Sequence, residues 1–400
     1  MSKSADNAQT RHQNRSRRRL TATETDFDVE IQRAVIVALD TPSRNDNIEL
    51  SLDELALLID TAGAEVVHRE IQKRPSIDPA TFIGSGKAQE IADFVQANDC
   101  DLVAFDTELS PAQQRNLEKI MKVDVVDRVA VILDIFAQHA TTQEGMVQVE
   151  LAQLKYLMPR LRGRGTTLSQ QGGGIGTRGP GETQLEVDRR SIVRKMRKLE
   201  DDLKKLEKVR ATQRHRRSQK PEKRAAIVGY TNAGKSSLLN ALAKSDAHVE
   251  DRLFATLAPT TRKVYVGEGS DFKPRVVLFS DTVGFVRDLP HQLIEAFRST
   301  LEEAADADLL VHVVDATSPD AQGNVEAVNE VLHEIDADDI EQVLVWNKVD
   351  LLSKEQRTEL EELDHDIRAY RPGRSFFVSA HTGESLEELR EYFLTHSQLS

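Results

Sequence analysis

One run of eight residues, Gly229-Tyr230-Thr231-Asn232-Ala233-Gly234-Lys235-Ser236, constrains the fold of this chain more than any other feature. It follows the apolar stretch Ala225-Ala226-Ile227-Val228, which predicts a buried strand. Leu238, Leu239 and Leu242 recur beyond it at helical spacing. A Gly-x-x-x-x-Gly-Lys-Ser run between a strand and a helix wraps phosphate in backbone amides, and the helix start adds a favourable dipole. Lys235 then reaches the β- and γ-phosphates, and the Ser236 hydroxyl coordinates Mg²⁺. Strand, loop and helix in this order imply an α/β domain, expected over residues 225–400.

Two later segments narrow the nucleotide. The predicted strand Val343–Trp346 ends in Asn347-Lys348-Val349-Asp350. A carboxylate at a strand's carboxyl end accepts hydrogen bonds from the N1–H and 2-amino group of guanine, a donor pair that adenine lacks. Between the two motifs, Val276–Ser280 leads into Asp281-Thr282-Val283-Gly284. Asp281 is expected to hold Mg²⁺ through water, and the Gly284 amide to sense the γ-phosphate. The next residue is Phe285, whose ring can neither donate to nor accept from an attacking water. Two hypotheses follow. Asn232 helps to hold a monovalent cation, K⁺, beside the phosphates, or a partner surface reorganises the switches and supplies the missing electrostatics. Either way the isolated protein turns over slowly.

Upstream, residues 27–140 alternate β-rich runs (Val35–Leu39, Glu65–His68, Leu102–Phe105, Val123–Val126) with helical faces such as Leu52, Leu55, Leu58 and Ile59. That alternation predicts a small α/β subdomain with a largely parallel sheet. Its Gly84-Ser85-Gly86-Lys87 lacks the phosphate-loop spacing and reads as a strand-to-helix turn. Residues 141–224 then carry two apolar seams stepping by four and three: Val147, Leu151, Leu154, Met158, Leu161, and Ile192, Met196, Leu199, Leu203, Leu206. Narrow seams of this kind predict an antiparallel helical hairpin.

The expected tip of the hairpin, residues 163–181, holds eight glycines: Gly163, Gly165, Gly172, Gly173, Gly174, Gly176, Gly179 and Gly181. Arg160, Arg162, Arg164 and Arg178 flank or punctuate it. Bare backbone with guanidinium groups suits a nucleic-acid phosphate chain, so RNA contact is expected at these four arginines and at Gly172, Gly173 and Gly174. Charge points the same way. The 400 residues sum to −13, yet residues 189–224 carry +11 between an amino-terminal −8 and a carboxy-terminal −16. A polyanion partner is therefore sought on the hairpin, and acidic flanks disfavour indiscriminate binding. The single cysteine, Cys100, permits no internal disulfide, and no apolar run approaches a membrane span. Residues 1–26 read as a disordered Arg-rich tail with no secretory leader, which makes a cytoplasmic protein the expectation.

These motifs together resemble the HflX-type ribosome-associated GTPases. The resemblance is carried by the phosphate loop, by Phe254-Ala255-Thr256-Leu257-Ala258-Pro259-Thr260-Thr261, by Asp281–Phe285 and by Leu289–Glu302. In the first half it rests on Phe82–Lys87 and on the block Gly172–Glu186 with its Glu-Thr-Gln-Leu-Glu continuation. It implies Mg²⁺-dependent hydrolysis of GTP to GDP, stimulated by ribosomes. It also implies binding to the large ribosomal subunit and its RNA, with dissociation or recycling of ribosomes under stress. The alternative is a large-subunit assembly factor, or an RNA-binding switch using GTP mainly as a ligand. Among related GTPases Thr256 is the preferred Mg²⁺ ligand beside Ser236, with Thr261 and Thr260 behind it. Lys235, Asn232 and Thr256 form the expected catalytic set. Ser379, Ala380 and His381 match the loop that closes over the base. Ser237, Phe254, Ala255, Leu257, Ala258, Thr282, Val283, Lys348 and Val349 join the GTP contacts. A monomer is expected, with no membrane span and with ribosome or loose membrane association. Many members continue past the last GTPase helix into a further small domain, whereas this sequence runs only to Ser400.

Overall fold

The computed structural model describes residues 31–44, 47–161, 184–217, 222–244, 254, 260–268, 274–287, 301 and 303–396. The first α/β unit runs β1 (Gln32–Asp40), α1 (Ile48–Thr61), β2 (Ala64–Lys73), α2 (Ser85–Ala97), β3 (Leu102–Phe105), α3 (Pro111–Met121), β4 (Asp124–Asp127) and α4 (Arg128–His139). Its four strands are all parallel, in the order β2-β1-β3-β4. A parallel strand buried on both faces needs a continuous apolar run, and Ala34–Leu39 supplies one with every residue buried. Alternation then divides the strand. Ala34, Ile36 and Ala38 face α1 and α4, while Val35, Val37 and Leu39 meet Ala88, Ile91, Leu117 and Met121 of α2 and α3.

Local signals set the helix starts. The Asn47 side chain accepts from the Glu49 and Leu50 amides. Ser110 and Gln113 form a reciprocal capping box ahead of Pro111. Gly84 opens α2 without a side-chain cap, its amide donating to Gln72. Lys87 is taken up by Glu70 at 3.2 Å and Glu90 at 2.6 Å, so Gly84–Lys87 is a strand-to-helix turn whose cation is already paired.

Two long helices follow, α5 (Gln143–Arg160) and α6 (Gln184–Arg217), which pack on each other and share a Glu150–Lys195 ion pair. On α6 the seam is as expected: Leu199 is buried and Ile192, Met196, Leu203 and Leu206 are half-buried. On α5 the seam is only part of the story. Val147, Leu154, Met158 and Leu161 are half-buried, whereas the buried stripe is Gln148, Val149, Leu151, Ala152 and Tyr156. Val149, Ala152 and Tyr156 belong to the apolar cluster of α1 and α4. One helix thus serves two partners, which a narrow heptad seam cannot express.

The second α/β unit contains β5 (Lys223–Gly229), α7 (Lys235–Ala243), β6 (Thr260–Glu268), β7 (Pro274–Asp281), β8 (Leu309–Asp315), α8 (Ala321–Glu334), β9 (Gln342–Asn347), a short 3₁₀ turn (Val349–Leu351), α9 (Lys354–Tyr370), β10 (Arg374–Phe377) and α10 (Leu386–His396). The strand order is β10-β9-β8-β5-β7-β6, with β6 alone antiparallel. Beta5 lies between β8 and β7, so the chain leaving its carboxyl end enters the crevice where open α/β sheets bind ligands.

Candidate functional site

The loop leaving β5 is shaped by contacts that only glycine permits. Gly229 has φ +151°, and a Cβ there would lie 2.2 Å from the Val313 carbonyl oxygen of β8. Gly234, at φ +87°, would place a Cβ 2.3 Å from the Asn347 side-chain nitrogen. The loop therefore lies directly on β8 and β9, and Asn232 takes a left-handed turn at φ 59° to complete it. Lys235 begins α7 with its side chain folded along the loop, Nζ donating to the Gly229 and Tyr230 carbonyls at 3.1 and 2.7 Å. Burial pushes its pKa down to about 8, against the opposing pull of Asp281. The Ser236 hydroxyl donates to Asp281 Oδ2 at 2.6 Å. A hydroxyl and a carboxylate side by side, next to a cation at a helix start, are hard oxygen donors that fit Mg²⁺ carrying a polyphosphate.

Asn347 fastens three segments together. Its amide nitrogen donates to the Ala233 carbonyl at 2.9 Å, and its oxygen accepts from the Ala380 amide at 3.0 Å. The phosphate loop, the end of β9 and the Ser379–His381 loop are thereby held in one register. Ser379 is fully buried and its hydroxyl accepts from the Thr382 amide. His381 is exposed, and Ala380 and Asp350 are half-buried. Lys348 reaches Asp315, at the carboxyl end of β8, at 2.6 Å. Asp315 was not among the sequence candidates, since nothing in its local sequence marks it.

The segment Asp281–Phe285, the expected second switch, packs along the phosphate loop. The Phe285 amide donates to the Gly229 carbonyl at 3.1 Å and the Thr231 amide to the Phe285 carbonyl at 2.8 Å. Thr282 is buried and donates to the Ile227 carbonyl at 2.7 Å. The Phe285 ring, 1% exposed, turns away into a core with Val228, Leu301 and Ala304. No side-chain group at this position addresses a water. Thr260 and Thr261 start β6 on an exposed edge, with the Thr261 hydroxyl 3.1 Å from that of Ser280. Ala255, Thr256, Leu257 and Ala258 lie outside the described residues, as do residues 1–26 and the glycine loop with Arg162, Arg164, Gly172, Gly173, Gly174 and Arg178.

Arg160 differs from the expectation of an RNA contact. It donates to the Leu109 carbonyl at 2.8 Å, to Asp127 and to Gln114 at 3.1 Å each, and lies over the Tyr156 ring at 3.5 Å. Only 10% of its side chain is exposed, so the guanidinium is spent inside the first domain rather than presented. Position beside a glycine-rich loop could not reveal this, because the buried Asp127 that claims it is far away in sequence.

The doubly wound sheet and this loop define a P-loop GTPase. Residues 49–137 match a family described as the amino-terminal part of a GTP-binding GTPase, residues 139–217 its middle region, and residues 224–348 a 50S ribosome-binding GTPase. The GTPase HflX of Caldanaerobacter subterraneus is 52% identical over 321 residues, which span 80% of this chain and 73% of that one. That of Escherichia coli K12 is 44% identical over 339 residues, spanning 84% and 77%. The crystal structure of SsGBP with GDP shares the fold, with a TM-score of 0.51 and 24% identity over 92% of this chain and 99% of that one. The chain belongs to the GTPase HflX family; it binds GTP and hydrolyses it to GDP and phosphate. As in GTPases generally, Mg²⁺ accompanies the nucleotide. No helix among the described residues is long and apolar enough to cross a membrane.

Proposed function

We propose that this GTPase docks on the large ribosomal subunit through the basic helical hairpin and uses GTP to dissociate or recycle ribosomes under stress. The observation that carries the docking is the surface of α6. Arg189, Arg194, Arg197, Lys198 and Lys204 are all exposed along it, and residues 151–224 together sum to about +13. Such a stripe on an otherwise acidic chain is an electrostatic footprint for phosphate backbones. The match of residues 224–348 to a 50S ribosome-binding family supports the same partner.

In this reading Lys235, Asn232 and Thr256 carry the chemistry. Lys235 neutralises charge on the β- and γ-phosphates, and Ser236 and Thr256 ligate Mg²⁺, with Asp281 acting through water. Asn232 helps to hold a K⁺ ion, or the ribosome supplies the electrostatics that Phe285 cannot. Asp350 reads guanine, and Ser379, Ala380 and His381 close over the base. The glycine loop, with Arg162, Arg164, Gly172, Gly173, Gly174 and Arg178, meets ribosomal RNA. The protein acts as a monomer in the cytoplasm.

Sedimentation of ribosomes with the protein and GTP, a non-hydrolysable analogue or GDP tests the reading. Separation into subunits with GTP or the analogue, but not GDP, is expected. Co-migration with large subunits alone would favour an assembly role instead. Deleting residues 163–181 should abolish ribosome binding and leave GTP binding intact. Because Lys and Arg contacts release counterions, the binding should also weaken steeply with salt.

A further inference from the structure

Tyr230 is the second residue of the phosphate loop, yet its side chain leaves the nucleotide crevice and enters the first domain. Its hydroxyl donates to Glu54 Oε1 on α1 at 2.5 Å, across 176 residues of sequence. The same oxygen accepts from the backbone amide of Arg287 at 2.8 Å. Arg287 lies three residues past Gly284, in the second-switch segment that runs beside the phosphate loop. One hydroxyl thus joins the phosphate loop, the second switch and the amino-terminal domain.

The far end of this link is held rigidly. Glu54 Oε2 lies 2.6 Å from Arg128 Nη2, and Arg128 Nη1 lies 3.1 Å from Asp106 Oδ1. Asp106 Oδ2 in turn takes Arg44 at 2.6 Å and the Ser51 hydroxyl at 2.7 Å. The side chains of Arg128 and Asp106 are 3% and 0% exposed. Alternating charges from α1, α4 and the loops after β1 and β3 surround the Glu54 carboxylate, and a hydrogen bond to it is charge-assisted. Apolar packing seals the contact. Phe254, Val283 and Val286 belong to the same buried cluster as Ile132 and Phe136, with the Phe136 and Phe254 rings edge-to-face at 4.6 Å.

The near end bears on the reaction. A Cβ at Gly284 would lie 3.0 Å from Lys235 Nζ, so the Gly284 backbone stands where the terminal phosphate is handled. Its place is set by the residues that follow it, by Phe285, bonded to Gly229 and Thr231, and by Arg287, bonded to Tyr230. The Arg287 guanidinium is held separately by Asp320 at 2.5 Å and Asn324 at 3.1 Å.

We propose that Tyr230 is a positioning residue for GTP hydrolysis: its hydroxyl pins the second-switch backbone to Glu54, so that the amino-terminal domain holds Gly284 at the phosphate site. The residue touches no reacting atom and acts through the Arg287 amide. Tyr230→Phe keeps the ring and removes only the shared oxygen. Glu54→Gln keeps an acceptor of the same shape, in the other domain, and removes its charge.

The test is GTP hydrolysis by the full chain with Mg²⁺, read as kcat and KM separately, with thermal denaturation alongside. Tyr230→Phe should lower kcat roughly 5- to 30-fold while KM and GDP affinity stay within about twofold, the pattern of a contact that matters to the transition state and not to ground-state binding. Glu54→Gln should lower kcat less, and added to Tyr230→Phe it should change kcat by less than about twofold, because both act through one bond. An unchanged or faster kcat in Tyr230→Phe overturns the proposal. So does an equal loss of kcat and GDP affinity, which would mark a merely structural role in the phosphate loop. Fully multiplicative effects of the two substitutions would overturn it as well.

Discussion

Lys235 shows how a single residue joins burial to function. The residue is only 7% exposed, its ammonium lies on backbone carbonyls, and burial brings its pKa down to about 8. Bound phosphates favour the charged form and must raise that value, so nucleotide binding near pH 8 should take up a proton. Below about pH 7 the side chain is already charged and little uptake is expected, whereas affinity should fall as the pH rises through about 8. Calorimetry of GDP binding in buffers of different ionisation enthalpy measures the uptake directly. Equal heats in all buffers at pH 8 would contradict the assignment. Phe285 is the complementary case. Its identity alone showed that no side chain there could orient a water, but that its ring is packed with Val228 and Leu301 is a fact of the core.

At the scale of elements, α5 departs most from its sequence pattern. A heptad seam describes contact with one neighbour, and α5 has two, so its buried stripe shifts toward Val149, Ala152 and Tyr156. Arg160 at its end closes the arrangement by meeting Asp127, whose side chain is 1% exposed. Removing one member of such a buried pair leaves a charge with fewer partners. Arg160→Ala should therefore cost about 3 kcal/mol in urea denaturation. Because the guanidinium is turned inward, the folded variant should keep its affinity for large ribosomal subunits. A variant of full stability that binds ribosomes poorly would instead return Arg160 to the RNA surface.

For the whole molecule, the two α/β units share an apolar cluster: Phe254, Val283 and Val286 pack with residues of α1, α4 and α5. A ligand that binds only the folded form stabilises it by RT ln(1 + [L]/Kd), about 2.7 kcal/mol at a hundredfold excess over Kd. With a shared core, that stabilisation should spread beyond the nucleotide domain. Hydrogen exchange with and without GDP should show slower amides in residues 48–61 and 128–139. Protection confined to residues beyond 223 would mean that the two units open independently. The same coupling gives the Tyr230–Glu54 bond something firm to pull against.

Much of this protein was legible in its residues. The phosphate loop, the Asn347–Asp350 motif, the alternation of strands and helices and the basic segment all depend on spacing within a few residues, and such spacing dictates local structure directly. Sheet order, the double duty of α5, the capture of Arg160 by Asp127 and the Tyr230–Glu54–Arg128 chain depend on groups brought together from distant parts of the chain. Periodicity and motif spacing say which face of an element is apolar, but not which of several buried partners will meet it. That choice is made when the whole core closes, and it placed a tyrosine of the phosphate loop in the hands of another domain.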